Sequence, residues 1–205
     1  MSFAKVYSAQ TTNLKAQIID IEVDLANGLH SFSIVGLPDK AVEESRDRVS
    51  ATIKNSGFKS PKQKNQKVVI ALAPADLKKE GPIFDVGIAL AYLLATEDIS
   101  FDPKKKLFLG ELSLDGELRP VRGVLPLVRE AKAKGFTEVY LPKNNAGEAG
   151  LIEGIEIFGA ETFREIFDHL HVEKKGERPN SRKKISPHGK RRFLIGKSNF
   201  PVIRN

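Results

Sequence analysis

The chain has 205 residues, of which 40% are hydrophobic, and this length and composition fit one globular domain with a single substantial core. It contains no Cys, which excludes disulfides, thiolate metal ligands and a Cys nucleophile. The four His are not spaced as metal ligands, so no metal site is predicted. We find neither a signal peptide nor an apolar run of the roughly 18 residues that a membrane span needs, which predicts a cytoplasmic protein without membrane contact.

Positive charge is concentrated in the last part of the chain. Residues 171–205 hold 11 Lys or Arg against two Glu, a net charge of +9, whereas residues 1–170 hold 22 basic and 24 acidic residues, a net charge of −2. This contrast predicts a folded domain over residues 1–170 and a basic, disordered tail over residues 171–205. Such a tail is either merely solvated or a nucleic-acid arm. Its candidate contacts are Lys183, Lys184, Arg191 and Arg192.

The first predicted element is a β-hairpin. Over residues 19–25, aliphatic residues alternate with acidic ones, which is typical of a strand with one buried face. Asn27-Gly28 follows and accepts the positive φ angles of a type I′ turn, and the alternation resumes at Phe32 and Ile34. The sequence therefore predicts two antiparallel strands paired around Asn27-Gly28.

A helix is predicted next, beginning at Pro38-Asp39 and ending at Gly57. One face carries residues spaced for burial, namely Val42, Ser45, Val49 and Ile53. The other face is charged and is predicted to face solvent; it consists of Glu43, Glu44, Arg46, Asp47, Arg48 and Lys54.

The remaining elements alternate between strands and helices. Residues 68–72 are apolar, which predicts a central strand buried on both sides. Residues 107–109 and 112–114 predict a further strand or bent hairpin, with turns at Gly110 and Asp115-Gly116. Helices are predicted over residues 83–96, 121–135 and 160–170, and short strands over residues 138–141 and 155–158. The fold class predicted is α/β, with N-terminal antiparallel strands, packed helices and a mixed sheet.

The helix predicted over residues 83–96 has one charged residue, Asp85, in its first turn. A carboxylate at this position can accept free backbone N–H groups, so we favour a structural capping role; a catalytic role would require a partner base or electrophile. Lys78 and Lys79 precede the helix and are candidate anion or nucleic-acid contacts, because exposed N–H and ammonium groups attract phosphate. The alternative is an ordinary solvated loop.

Two further basic residues, Arg119 and Arg122, flank Pro120 before the next helix. They are candidate phosphate contacts, but we favour salt bridges with carboxylates such as Glu111 or Glu117. Gly196-Lys197-Ser198 in the tail does not form a P-loop, since Arg191 stands where that motif requires Gly. ATP binding by this chain is therefore not expected.

Four segments of the sequence occur in a recognisable order: SFSIVGLPDKAVEESRDRVSATIKNSGFKSP, VVIALAPADLKKEGPIFDVGIAL, FLGELSLDGELRPVRGVLPLVREAKAKGF and LPKNNAGEAGLIEGIEIFG. Over about residues 3–170 the chain resembles the N-terminal domain of the magnesium-chelatase-subunit-like AAA+ ATPases, the competence protein ComM/YifB family. The resemblance implies the ribosomal protein S5 domain 2-like fold, which is shared with the Lon protease domain and with the C-terminal domain of the RadA recombination ATPase.

The same resemblance implies that protease machinery is absent. The position of the Lon nucleophilic Ser falls on Asp85, and that of the Lys that activates it falls on Leu125. Neither a hydroxyl nucleophile nor its base then exists, so no catalytic residue and no peptidase activity are expected.

Members of the family continue into an AAA+ module, and the resemblance implies a hexameric motor that uses ATP and Mg to process DNA in natural transformation, through branch migration. This sequence departs from that pattern at about residue 171, so we interpret it as a truncated, frameshifted or pseudogene-like product without a cofactor of its own. The first hypothesis is a non-catalytic accessory domain that binds DNA or neighbouring subunits of a homo-oligomer. The alternatives are a hydrolase with a rearranged site, using Asp85 with Lys78 or Lys79, and a structural fragment that associates with an intact family member.

Overall fold

The computed structural model describes residues 2–12, 15–174, 194–195 and 201–203. Its strands are β1 (Ser2–Thr12), β2 (Lys15–Asn27), β3 (Ser31–Val35), β4 (Gln66–Ala73), β5 (Lys106–Phe108), β6 (Glu111–Leu112), β7 (Leu118–Arg119), β8 (Glu138–Pro142), β9 (Glu156–Ala160), β10 (Leu194–Ile195) and β11 (Pro201–Ile203). Its helices are α1 (Lys40–Asn55), α2 (Asp85–Ala95), α3 (Val124–Ala133), α4 (Lys143–Ala149) and α5 (Phe163–Lys174). The main sheet has the order β10-β11-β9-β8-β5-β1-β2-β4-β3, and β6 and β7 form a separate small hairpin.

The sheet is mixed, which confirms the predicted α/β class. The β1–β2 pair is antiparallel, and β5, β8 and β9 run parallel to one another. The parallel pairs need crossover connections, and helices provide them: α1 joins β3 to its neighbour β4, while α3 lies between β5 and β8 in the chain.

The predicted hairpin around Asn27-Gly28 is wrong. The strands on either side of this turn, β2 and β3, do not pair with each other, because β4 lies between them. Asn27 pairs with Gln66 of β4, and the Gly28 N–H donates to the Asn65 carbonyl at 3.4 Å. The antiparallel partner of β2 is β1, whose register runs from Ser2 opposite Leu25 to Thr12 opposite Lys15. The chain does bend just after Asn27, at Gly28, as the Asn-Gly sequence suggests. Which strands pair is decided by the long β1–β2 and β2–β4 ladders.

The prediction that β4 is buried on both faces is also wrong. Val68, Ile70 and Leu72 are buried, but Val69 between them is 39% exposed. The helices α1 and α2 cover only one face of this half of the sheet, so the apolar run places one aliphatic side chain on the open face. Composition alone does not distinguish a strand covered on both sides from one covered on one side.

Helix α2 is the central helix of the fold. Ten of its eleven residues are buried, so it packs against the sheet on one side and α1 on another. Gly87 allows the close approach, since a Cβ at this position would lie 2.5 Å from Cδ1 of Ile21 in β2. The prediction of a packed helix is confirmed, with a short 3₁₀ turn over Pro82–Phe84 preceding it.

Helix α1 agrees with its predicted bounds. Asp39 caps it by accepting from the Val42 N–H at 2.8 Å, and Val42, Ser45, Val49 and Ile53 are all buried. The small β6–β7 hairpin confirms the predicted turn at Asp115-Gly116.

Two elements in the second half of the domain differ from prediction. Helix α4 was not predicted, because KNNAGEA has no apolar period and contains Asn and Gly. It is held by tertiary contacts, with the Asn145 side chain bonded in both directions to the backbone of Val121. Strand β9 extends to Ala160, beyond the predicted strand end at residue 158. Helix α5 therefore begins at Phe163 and not at Ala160. Its predicted inward residues Phe163, Ile166, Phe167 and Leu170 are buried.

The described part of the tail contains secondary structure. Helix α5 continues to Lys174, beyond the predicted boundary at residue 170. Strand β11 pairs antiparallel with β9, and β10 pairs with β11. The rest of the predicted disordered tail, residues 175–193, 196–200 and 204–205, lies outside the described residues. Within the described residues, no helix is long and apolar enough to cross a membrane.

Candidate functional site

Asp85 is the first residue of α2 and is completely buried. Its carboxylate accepts two hydrogen bonds from the Arg48 guanidinium, Nε to Oδ2 at 2.6 Å and Nη2 to Oδ1 at 3.1 Å. The Leu112 backbone N–H also donates to Oδ2 at 3.1 Å. Asp85 therefore has a structural role, but its partners come from α1 and β6 and not from the free N–H groups of its own helix.

Arg48 was predicted to face solvent, and this prediction is wrong. Its side chain is 17% exposed and lies across the start of α2. Its Nη2 donates to the Ala41 carbonyl at 2.9 Å and to the Ser45 hydroxyl at 3.0 Å, and its Nη1 lies 3.9 Å from the Glu44 carboxylate. A long side chain can lie on the border of an apolar face and turn its charged head inward when a buried carboxylate needs a partner. Asp85 is the one charged residue in the apolar sequence of α2. A carboxylate in such a helix indicates that a cation from another element must lie beside it.

The Asp85 carboxylate is influenced in two opposite ways. Burial raises its pKa, because an ionised carboxylate loses hydration, and the Arg48 guanidinium opposes this shift. The short, two-armed contact with Arg48 and the Leu112 N–H satisfy the ionised form. The pair joins α1, α2 and β6 at one buried point.

The position that the family resemblance assigns to the Lon lysine lies at the start of α3. Leu125 is the second residue of this helix and is half-buried, and its backbone N–H donates to the Glu148 carboxylate at 3.1 Å. The Ser45 hydroxyl is buried beside the Arg48–Asp85 pair, accepts from Arg48 and is also hydrogen-bonded to the Asp85 carboxylate. Asp85 and Leu125 are thus the side chains that the structure places at the starts of α2 and α3.

The loop before α2 is fixed by side chains from two other elements. Gln10 of β1 donates to the Lys78 carbonyl at 2.7 Å and accepts from the Glu80 N–H at 3.1 Å. Asp39 accepts from the Gly81 N–H at 3.1 Å in addition to capping α1. Neither Gln10 nor Asp39 was predicted to have this role, because each contacts a loop that is distant in sequence.

The two adjacent lysines of this loop differ completely in exposure. Lys78 is exposed and its ammonium lies 3.0 Å from the Glu80 carboxylate. Lys79 is buried, and its Nζ donates to the carbonyls of Pro74 and, at 2.6 Å, Leu77. Burial lowers the pKa of Lys79. The expectation that both ammonium groups are available to an anion is therefore wrong for Lys79, whose donors are directed inward. Neither lysine is the partner of Asp85.

Arg119 and Arg122 lie at the surface beside α3. Arg119 is in β7, directly opposite Glu111 of β6, and its Nη1 lies 3.2 Å from the Glu111 carboxylate. This confirms the favoured salt bridge. Arg122 is exposed and stands just before Gly123, the left-handed residue that precedes the first residue of α3. The other candidate contacts, Lys183, Lys184, Arg191 and Arg192, lie outside the described residues.

The exposed candidate contacts of the folded domain stand in two segments of the chain. Lys78 lies in the loop before α2, Arg119 lies in β7, and Arg122 lies between β7 and α3. No described contact joins these two groups of residues.

Several known proteins are similar in sequence to this chain. Competence protein ComM of Haemophilus influenzae is 39% identical over 176 residues, which cover 85% of this chain and 34% of ComM. Lon protease 2 of Bacillus subtilis is 28% identical over 168 residues, covering 75% of this chain and 30% of the protease, in agreement with the Lon-like fold. DNA repair protein RadA of Streptococcus pneumoniae is 33% identical over 90 residues, 44% of this chain and 21% of RadA.

The chain spans about one third of the length of the first curated relatives that it matches. The family model for subunit ChlI of Mg-chelatase matches residues 21–145, which is more than half of the chain and extends from β2 into α4. The chain therefore belongs to the Mg-chelatase ChlI subunit family.

Proposed function

We propose that this chain acts as a non-proteolytic accessory domain in DNA processing and binds DNA through the basic residues of its C-terminal tail, residues 171–205. In this proposal the chain needs neither ATP nor Mg, works in the cytoplasm, and contacts DNA and other copies of family members without catalysing a reaction of its own.

The charge distribution is the observation that carries the proposal. A net charge of +9 over residues 171–205 adjoins a domain of net charge −2, so electrostatic attraction to a polyanion is concentrated in the tail. The names of two relatives point in the same direction, since one is a competence protein and another a DNA repair protein.

The start of α2 supports the non-proteolytic part. In a Ser-Lys hydrolase this region must present an exposed hydroxyl next to an amine. Here the carboxylate of Asp85 is buried and bonded to Arg48, and a Leu stands at the start of α3. This region consequently serves the packing of the domain.

The test is DNA binding as a function of salt concentration. The full chain is titrated with fluorescently labelled single-stranded and branched DNA between about 50 and about 200 mM NaCl, a range over which phosphate contacts lose much of their affinity. A variant with Lys183, Lys184, Arg191 and Arg192 changed to Gln is expected to weaken binding and to reduce the slope of log affinity against log salt by about three to four.

A matched variant controls for net charge alone. Four exposed lysines of the folded domain, Lys40, Lys54, Lys59 and Lys104, are changed to Gln, which removes the same four charges. This variant is expected to keep most of the slope. Equal losses in both variants, or no DNA retention by the full chain at low salt, would contradict the proposal.

The three exposed candidates of the folded domain receive their own variant, with Lys78, Arg119 and Arg122 changed to Gln. Because Lys78 and Arg119 already have carboxylate partners, we expect a reduction of the slope by about one at most. A larger reduction than that of the tail variant would move the DNA contact to the folded domain.

A further inference from the structure

Strand β3 lies at one edge of the main sheet. Within the described residues, β3 pairs with β4 on one side and no strand pairs with its other side. A strand edge of this kind presents unpaired backbone N–H and C=O groups, and only another extended chain satisfies them together.

Strand β3 has no feature that prevents another strand from pairing with it. Its sequence SFSIV contains neither a charged residue nor Pro, which are the usual devices that protect an edge. Ser31, Ser33 and Val35 are exposed, whereas Phe32 is buried in the core. The exposed side chains of β3 itself are small or apolar, so a strand that pairs with it meets no charge on β3.

Exposed leucines stand on either side of β3 at equal distances along the sequence from Ser33. Leu29 is 88% exposed and Leu37 is 54% exposed, and each stands four positions from Ser33. In an antiparallel pair centred on Ser33, residue 31 of one copy faces residue 35 of the other, and Leu29 of one copy approaches Leu37 of the other. A two-fold interface requires this kind of self-complementary surface.

We propose that β3 pairs antiparallel with β3 of a second copy of this chain, with Ser33 facing Ser33 on a two-fold axis. The two sheets then become continuous through about four to six backbone hydrogen bonds. Ser31 faces Val35 on either side of the axis, and the four leucines at the ends of the two strands cover each other in pairs.

The contact is a weak one. Five residues per strand and two exposed leucines per copy bury less than the roughly 1,200 Å² of stable protein interfaces. The dimer is therefore populated at high protein concentration, or where another interaction holds two copies near each other, such as binding of both to one DNA molecule. The strand pairing itself requires no DNA.

Single cysteines test the register directly, because the natural chain contains no Cys. Residues facing each other in an antiparallel pair have Cα atoms about 4.5–5.5 Å apart, which suits a disulfide. Ser33→Cys is expected to give a disulfide-linked dimer under mild oxidation, without DNA. Ser31→Cys alone is expected to give little, whereas a mixture of Ser31→Cys and Val35→Cys chains is expected to form a linked heterodimer.

Two control variants separate this pairing from other contacts. Leu114→Cys, 60% exposed, reports random collisions, and Val69→Cys reports association through the open face of the sheet one strand away from the edge. The proposal is overturned if Ser33→Cys links no faster than Leu114→Cys, if Val69→Cys links as well as Ser33→Cys, or if Ser31→Cys alone links as well as its mixture with Val35→Cys.

Charge substitutions give a second test that needs no oxidation. Ser33→Lys places two ammonium groups opposite each other and is expected to weaken the dimer about tenfold or more, whereas a mixture of Ser33→Lys and Ser33→Asp chains is expected to restore it. Sedimentation velocity between about 10 and about 500 μM measures the association. A dimer that is equally strong in Ser33→Lys, or a mixture that stays monomeric, contradicts the proposal. Failure of DNA binding leaves this outcome unchanged.

Discussion

The charged side chain at the start of α2 is buried, whereas the charged side chains at the start of α3 are exposed. At the start of α2, Asp85 is buried and bonded to Arg48, a residue 37 positions earlier in the chain. At the start of α3, Arg122 is exposed and the Glu148 carboxylate accepts from Leu125 at the surface. A buried charge depends on one partner, while an exposed charge is compensated by water. Substitutions should therefore have large effects in the first region and small effects in the second.

The largest effect is expected for Arg48→Met. This change leaves the Asp85 carboxylate buried without its cation, and we expect a loss of about 3–5 kcal/mol in the free energy of unfolding. Urea denaturation measures it. Arg46→Met on the exposed face of the same helix is the control and is expected to cost no more than about 0.5 kcal/mol. The double variant Arg48→Met with Asp85→Leu should regain at least part of the loss, and similar values for Arg48→Met and Arg46→Met would contradict the comparison.

The second largest effect is a loss of stability on acidification, which we expect from a buried His. His169 in α5 packs against the rings of Tyr140 and Phe158, and burial lowers its pKa to about 4. The unfolded chain binds this proton below about pH 6.5 and the folded chain only near pH 4, so stability is full above pH 6.5 and falls as the pH falls toward 4. We expect this group to remove up to about 3 kcal/mol over that range.

Urea denaturation at neutral pH and at about pH 4.5 tests the contribution of His169. His169→Gln should lose less stability on acidification than the natural chain, because its side chain does not titrate. His171→Gln, at an exposed position stacked on Phe167, should keep the full acid dependence. If His169→Gln and the natural chain respond equally to pH, the buried His is not the source of the effect.

The third effect compares the two adjacent lysines. Lys79→Met removes the donor that the Pro74 and Leu77 carbonyls share, and we expect a loss of about 1–3 kcal/mol. Lys78→Met affects only an exposed pair with Glu80 and should leave the stability nearly unchanged, because water screens this pair. Thermal denaturation of the two variants side by side measures the difference. Equal losses of stability in the two variants would contradict the expectation that the buried lysine contributes more than the exposed one.

The smallest effect is expected at the start of α3. Glu148→Gln weakens the charged contact with the Leu125 N–H and should cost about 0.3–1 kcal/mol, with part of this difference lost at high salt. Glu153→Gln, at another exposed position, is the control. A cost above about 2 kcal/mol would place Glu148 in the same class as the Asp85 pair and remove the distinction.

Local signals predicted the elements whose own residues determine their structure. Helix α1 has a capping Asp and an apolar face, and α2 is too apolar to lie at a surface, so both were predicted near their observed positions. The same reasoning failed for α4, which has no such signal and is held by Asn145, and for the Asn27-Gly28 turn, whose strands pair with β4 and β1. The identity of the neighbouring strand depends on the whole sheet.

The candidate site divides in the same way. The family resemblance implied that Asp85 stands at the place of a nucleophile. Residue type and short spacing predicted that Arg119 has a carboxylate partner in Glu111. The sequence did not indicate that Arg48 turns inward or that Lys79 and Lys78 differ, since these depend on contacts with residues of other elements.

The sequence by itself determined the α/β class, the family resemblance, the Asp at position 85 and the separation of charge between residues 1–170 and residues 171–205, all of which follow from residue identity and order. Only the tertiary structure decided which side chains are buried, which cation meets Asp85, and which strands lie at the edges of the sheet. The physical reason is that burial and strand pairing are set by elements that are distant in the chain, and water is excluded only where those elements meet.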